Sequence, residues 1–254
     1  MLSLRMIAVR EILVSTKSAL VKSRIYGVEY VINPYLGCAH ACCYCYAVFM
    51  RQHSHGHQDA PWGSFVEVKA DLPDVLAAEL RRRRKPPASV MFSSVCDPYQ
   101  PCEEKHGITR RCIELLAEHG WQVEILTRSP LVLRDIELLR DIEATVGFSI
   151  PTENDRIRAI TEPRAPSIPA RLAALAQLHD AGIDTWAFLS PLLPMNPEKL
   201  HAELAPHVNR IMTCAMNHYD IAAEYMRARG LGVVFTRGFA SKLKARLHAL
   251  FGEE

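Results

Sequence analysis

The sequence predicts an α/β fold, a partial parallel (β/α)6-type TIM-like barrel. Three observations carry that expectation. Apolar, β-rich runs recur along the chain, capped amphipathic helices alternate with them, and no glycine-rich nucleotide fingerprint of the open-sheet kind is present. Alternation of this sort requires parallel strands joined by crossover helices. A length of 254 residues with 49% hydrophobic content suits one large domain of that design.

The first strand is expected in GVEYVINPY (27–35). SVMFSSV (89–95), QVEILT (122–127), TVGFSI (145–150), DTWAFLS (184–190) and NRIMTCAM (209–216) follow, and LGVVFT (231–236) is a further candidate. The intervening helices carry legible start and stop signals. One opens at Asp71 and puts Leu72, Val75, Leu76 and Leu80 on one face. Another runs from Thr109 to a stop at Gly120. Ser129 precedes Pro130, and Asn196 precedes Pro197, each as a cap followed by a proline suited to the first helical position. A helix begins near Ser167 and ends at Gly182. Residues 51–64 read as a loop. The domain plan is an N-terminal extension (1–26) packed on the barrel, a core (27–220), and a C-terminal strand with a basic helix (221–254).

The formal net charge is +2, which points to no strongly anionic partner. The first residues are interrupted by Arg5, Arg10 and Glu11, unlike a signal-peptide core. No apolar run reaches the roughly 18 to 20 residues that span a bilayer. The expected setting is therefore cytoplasmic, without membrane association, where thiols stay reduced and eight cysteines do not make a disulfide framework.

Four of those cysteines fall within GCAHACCYCYA. Cys38, Cys42 and Cys45 form C-x3-C-x2-C, with Cys43 inside the last spacing. Thiolates suit zinc or iron–sulfur centres. A structural zinc wants four ligands, and no second C-x2-C pair is present, although His40 or one of His53, His55 and His57 would complete a set. A [4Fe–4S] cluster normally takes four cysteines, so three leave one iron open.

Together with YVINPYLGCAHACCYCYA, the segments CDPYQPCE, ILTRSPLVLRD and TEPRAPSIPARL resemble the radical S-adenosylmethionine (AdoMet) superfamily, in its spore photoproduct lyase-like, DNA-repair-photolyase-like branch. The similarity covers about residues 20 to 200. It implies that Cys38, Cys42 and Cys45 hold a [4Fe–4S] cluster whose fourth iron is chelated by AdoMet. It implies an enzyme in which one electron cleaves AdoMet to methionine and a 5′-deoxyadenosyl radical, which abstracts hydrogen from substrate. By position, Tyr44 would lie against AdoMet, and Ser94, Asp97, Arg128 and Ser149 would face it from strand ends. Arg128 would pair with the methionine carboxylate, where spore photoproduct lyases tend to have lysine. The implied partners are a one-electron donor such as flavodoxin or ferredoxin and a substrate that the residues leave open, either a DNA lesion, which would make nucleic acid a partner, or a molecule of another class on which a tailoring enzyme acts.

The family's hydrogen-donor cysteine aligns with Ser94. Cys96 lies two residues on, on the same face of an extended strand, and is the candidate catalytic donor. Cys43 reads as a spectator, and Cys112 and Cys214 as small buried hydrophobes. Glu162 and Arg164 are expected either at the substrate mouth or in a surface ion pair. HSHGH (53–57) reads as a solvated loop, RRRRK (81–85) as a helix end suited to cations, and the acid-free C-terminal helix as a basic cap able to face nucleic acid. The reading from another class is a zinc-stabilised nucleic-acid-binding protein without catalysis.

Overall fold

A computed structural model describes residues 8–142, 144–217 and 219–252. The strands are β1 (Arg10–Val14), β2 (Val21–Lys22), β3 (Tyr30–Ile32), β4 (Tyr35–Leu36), β5 (Phe65–Lys69), β6 (Ser89–Phe92), β7 (Gln122–Thr127), β8 (Ala144–Ser149), β9 (Asp184–Leu189) and β10 (Arg210–Thr213). The helices are α1 (Leu72–Arg82), α2 (Cys102–His106), α3 (Ile108–Glu118), α4 (Ile136–Arg140), α5 (Asp155–Thr161), α6 (Ile168–Asp180), α7 (Pro197–Leu204), α8 (Tyr219–Arg227) and α9 (Phe239–Phe251).

The main sheet has the order β10-β9-β8-β7-β6-β3-β2. Its six strands from β3 to β10 are mutually parallel, and β2 adds an antiparallel edge. The sheet does not close on itself, so the molecule is a partial barrel. A second sheet, β1-β5-β4, stands beside it.

Strand alternation divides the sheet into two faces. Val90, Phe92, Val123, Ile125, Val146, Phe148, Ala187 and Leu189 face the helices and belong to one apolar core with Leu72, Leu76, Leu116, Leu175 and Leu200. The opposite face turns Met91, Glu124, Leu126, Ser149, Trp186, Phe188 and Met212 into the lumen. The helix caps follow the residues expected of them. Ser129 accepts from the Leu131 N–H, Ser167 from Ala170 and Asn196 from Lys199. Asp71 precedes α1, but its carboxylate accepts the Thr16 N–H at 2.9 Å instead of capping the helix.

Several boundaries differ from expectation. The strand of 89–95 stops at Phe92, because Ser93 takes a left-handed backbone, φ 67°. LGVVFT is not a strand: Gly232–Phe235 is a 3-10 turn. Its apolar run packs Val234 beside Met226 and Leu231 in a small separate cluster rather than on the sheet. A 3-10 helix spans Tyr46–His53, so the expected loop begins only after His53. The N-terminal extension supplies β1 to the second sheet in register with β5, Arg10 opposite Phe65; its residues 1–7 lie outside the described residues. Arg83, in the basic run, folds back over the rings of Tyr30 and Trp121 at 4.9 and 4.7 Å. In α9, Leu247 is buried and Arg246 pairs with Glu198 of α7 at 2.6 Å, so one cation of the basic cap is already neutralised. Among the described residues no helix is long and apolar enough to cross a membrane.

Gly147 on β8 has no room for a side chain. A Cβ there would collide with the indole of Trp186 on the neighbouring strand. Gly147→Ala is expected to destabilise the fold by about 1–3 kcal/mol through overpacking, read as a lower urea midpoint. An unchanged midpoint would contradict this packing.

Candidate active site

The cysteine loop leaves β4 through Gly37, whose φ is 89° and whose missing Cβ would press on the Phe65 carbonyl. Both requirements exclude a side chain. The loop is held at both ends. Buried Gln100 accepts the Ala39 N–H at 2.9 Å and donates to the Gly37 carbonyl at 3.2 Å. The Cys43 N–H donates to the Thr161 carbonyl at 2.8 Å. These bonds leave the side chains of Cys38, Cys42, Tyr44 and Cys45 lining one cavity of about 350 Å³. Cys43 is not among the residues that line the cavity; it packs against a small apolar cluster, and burial pushes its thiol up to about 12.

The donor chemistry of the other three thiols fits a metal centre. All three are free of disulfides, and burial raises each of them. At Cys38 the Asp97 carboxylate, then Cys42 and Cys45, raise it further. Three mutually repelling thiols around one cavity ionise together only beside a strong positive charge, which a metal centre provides. Among the described residues no three His, Cys, Asp or Glu side chains are arranged around a single ion. A zinc needs its donors about 2.0–2.3 Å from one point. In a cluster each thiolate binds its own iron corner, so the thiols need not converge. The histidines add no donor set: His55 Nδ1 lies 3.0 Å from buried Glu67, His57 stacks on Phe65, and His53 contacts Gln52.

The strand-end residues meet the thiols in the same cavity. Ser94, Cys96 and Asp97 follow β6, Arg128 follows β7, and Ser149 ends β8; all line it. Ser94 and Cys96 sit in a loop beyond the left-handed Ser93, so strand alternation does not relate them, yet both reach the cavity. The Cys96 thiol donates to Ser93 Oγ at 3.3 Å, and burial pushes it up to about 11. Ser94 Oγ accepts from Asn33 at 3.4 Å. Asp97 has both oxygens engaged. Oδ1 accepts from Thr127 Oγ1 at 2.7 Å and from the Tyr99 N–H, while Oδ2 accepts the Arg128 N–H at 2.8 Å and lies 3.2 Å from His40 Nε2. Burial alone would raise this carboxyl, but His40, Thr127 and the Arg128 N–H outweigh it and hold it at about 2. Ser149 lends its carbonyl to Arg171 at 2.8 Å.

Arg128 gives Nε to Glu162 at 2.8 Å; its two terminal nitrogens have no partner among the described residues. Glu162 is not a surface residue. It is fully buried and shared by Arg128, Arg171 and the Tyr44 hydroxyl. Burial would raise its carboxyl, but Arg171 and Arg128 bring it down to about 2. Arg164 instead donates to the Gly63 carbonyl at 2.7 Å. One further expectation changes. Cys214, after β10, lines the cavity rather than the core.

The two lowered carboxyls set an acid limit on stability. A carboxyl depressed by folding contributes in full above its unfolded value of about 4 and loses that contribution as pH falls towards its folded value. For Asp97 and Glu162 the folded value is about 2. Urea midpoints should therefore fall between about pH 4.5 and 2. Glu162→Gln should flatten that fall, and an identical slope in variant and wild type would refute the burial of this charge.

Comparison with known proteins agrees with the site. The model of the radical SAM superfamily matches residues 32–205. The uncharacterised protein MJ0683 of Methanocaldococcus jannaschii is 35% identical over 200 residues, 77% of this chain and 73% of that protein. A radical SAM Nα-GlyT isomerase of Pseudomonas phage M6 is 25% identical over 87% of this chain, which spans only 43% of the phage protein. A tyrosine-to-phenylalanine mutant of spore photoproduct lyase superposes with a TM-score of 0.67 at 15% identity, covering 95% of this chain and 78% of that one. Another spore photoproduct lyase structure, with bound AdoMet and dinucleoside spore photoproduct, superposes with a TM-score of 0.58 at 14% identity, covering 95% of this chain and 66% of that one. With three spaced cysteines at the mouth of a partial barrel and a family match across most of its length, the chain belongs to the radical SAM superfamily, enzymes that work with a [4Fe–4S] cluster and AdoMet.

Proposed function

We propose that Cys38, Cys42 and Cys45 hold the cluster and that the lumen below it takes a substrate for hydrogen abstraction. The observation that carries this reading is the convergence of three thiols free of disulfides, Cys38 buried and Cys42 and Cys45 half-buried, and the unpartnered end of Arg128 on one cavity at the C-terminal ends of parallel strands. When bound, the cluster and AdoMet supply the electron and the 5′-deoxyadenosyl radical. The protein's residues bind, orient and exclude water. The terminal nitrogens of Arg128 would receive the AdoMet carboxylate as a charge-assisted pair. Tyr44, fixed through its hydroxyl to Glu162 and lining the cavity, would lie against the cofactor. Asp97 holds the Arg128 backbone rather than touching the ligand, and Ser94 and Ser149 stand at the rim as hydrogen-bonding groups.

Cys96 is the candidate donor that returns hydrogen to the substrate radical. Its S–H bond breaks as the C–H bond forms. The sulfur radical left behind regains an electron and a proton through a one-electron donor of the flavodoxin or ferredoxin kind. Its raised thiol keeps that hydrogen in place at neutral pH. For the substrate we infer a modified or damaged nucleobase in nucleic acid. The support is the fold shared with spore photoproduct lyase and the relation to the phage isomerase. A cytoplasmic setting fits the free thiols.

Protein purified without oxygen is expected to be brown, absorbing broadly near about 400 nm, and on reduction to release 5′-deoxyadenosine from AdoMet. Cys42→Ala should lose both, and Cys43→Ala neither; normal turnover by Cys42→Ala would sink the ligand assignment. Colourless protein with one tight zinc and no cleavage would decide for the zinc-stabilised binding protein. Cys96→Ala should still form 5′-deoxyadenosine but stop placing solvent deuterium in the product. Undiminished deuterium in the product would remove Cys96 as donor.

A further inference from the structure

Arg128 is tied to the cysteine loop twice, by two different routes. On one side its backbone N–H donates to Asp97 Oδ2 at 2.8 Å, and the same oxygen lies 3.2 Å from Nε2 of His40, between Cys38 and Cys42. On the other side its Nε donates to Glu162 Oε1 at 2.8 Å, and that oxygen also accepts the hydroxyl of Tyr44, between Cys42 and Cys45. The path closes on itself: loop, Asp97, Arg128, Glu162, loop. Each arm of the cysteine loop contributes one side chain.

Two details give this ring a purpose beyond holding the fold. First, His40 is only 1% exposed, neither ring nitrogen makes a well-aligned hydrogen bond, and its Nε2 lies 3.2 Å from Asp97 Oδ2. A buried imidazole costs stability unless partnered, so its place needs a reason. Second, Glu162 faces two guanidiniums with one carboxylate. Arg171 is buried and committed to Glu162, Ser149 and Pro166. The part of this cluster left without a protein partner among the described residues is therefore the free end of Arg128, at the cavity.

We propose that His40 and Glu162 are positioning residues that lock Arg128 to both arms of the cysteine loop, so that capture of the AdoMet carboxylate and the seating of the cluster form one coupled event. The proposal rests on the reading that Arg128 receives that carboxylate. Buried hydrogen-bonded charges adopt discrete arrangements, because half-broken ones are expensive. A carboxylate on the outer nitrogens then biases the ring towards its closed form, and the closed ring presents the outer nitrogens to the carboxylate.

The test uses the full chain with its cluster. Iron and sulfide content report cluster assembly; AdoMet affinity and the AdoMet-induced change in the electron paramagnetic resonance signal of the reduced cluster report coupling. His40→Leu removes the imidazole, and His40→Asn keeps an N–H donor. His40→Leu is expected to retain iron and sulfide while AdoMet binds about tenfold more weakly and the signal change is diminished. His40→Asn should restore most of the affinity. Glu162→Gln should weaken binding similarly, and the double variant His40→Leu with Glu162→Gln should lose less than the product of the two, because both open one ring. His40→Leu that keeps its cluster and binds AdoMet like wild type overturns the proposal. If His40→Leu cannot hold a cluster, Glu162→Gln decides by the same readouts, with wild-type binding the overturning result. Wild-type protein that holds its cluster but shows no AdoMet-dependent signal overturns both the proposal and the reading beneath it; variants that bind AdoMet and change their signal as a responsive wild type does overturn the proposal alone.

Discussion

The site depends on one buried carboxylate. Glu162 sits where three parts of the chain meet: the cysteine loop through Tyr44, the end of β7 through Arg128, and α6 through Arg171. Magnitudes show why this matters more than the surface pairs. An exposed ion pair such as Lys199 with Glu203 is worth about 0–1 kcal/mol. Removing one partner from a buried, hydrogen-bonded pair leaves a stranded charge and costs about 3–5 kcal/mol. A hub of this kind is weak evidence for added stability but strong evidence for a single arrangement, because partial alternatives strand charges in a dry interior.

The barrel supplies the platform for that arrangement by a simple division of labour. Alternate residues of each central strand face the helices and form a continuous apolar core, and the residues between them face the lumen. Only the lumen face can carry Glu124, Ser149 and the thiols of the site without disturbing the core. Parallel strands all end on the same side, so the loops after β6, β7, β8 and β10 converge there whatever their sequence. The β5 strand and Gln100 bring the cysteine loop to that rim: Gly37 lies close against the Phe65 carbonyl, and Gln100 fastens the turn that follows.

Within the loop, side-chain direction separates cysteines that the sequence places side by side. Cys42 and Cys43 are neighbours, and both pack against one small apolar cluster, yet only Cys42 lines the cavity. The Cys43 N–H bond to Thr161 fixes that choice. Cys214 shows the converse. Its surroundings in the sequence are apolar, but its position just past the end of β10 carries it to the cavity rim.

Local signals were legible because their physics is local. Caps at Ser129, Ser167 and Asn196, the alternation along 122–127 and 184–189, and the C-x3-C-x2-C spacing each depend on residues within a few positions. The sequence alone therefore determined the α/β alternation, the six parallel strands and the three candidate ligands. It misread 231–236 as a strand because a short apolar run buries equally well as a 3-10 turn against Met226. It extended the strand of 89–95 too far because nothing local marks the left-handed turn at Ser93. The burial of Glu162 was beyond it altogether. Tyr44 and Glu162 are 118 positions apart, and Arg128 and Glu162 are 34 apart. Pairing at such distances is decided by which strand ends the folded barrel brings together, and by the cost of leaving any of those charges alone once water is excluded.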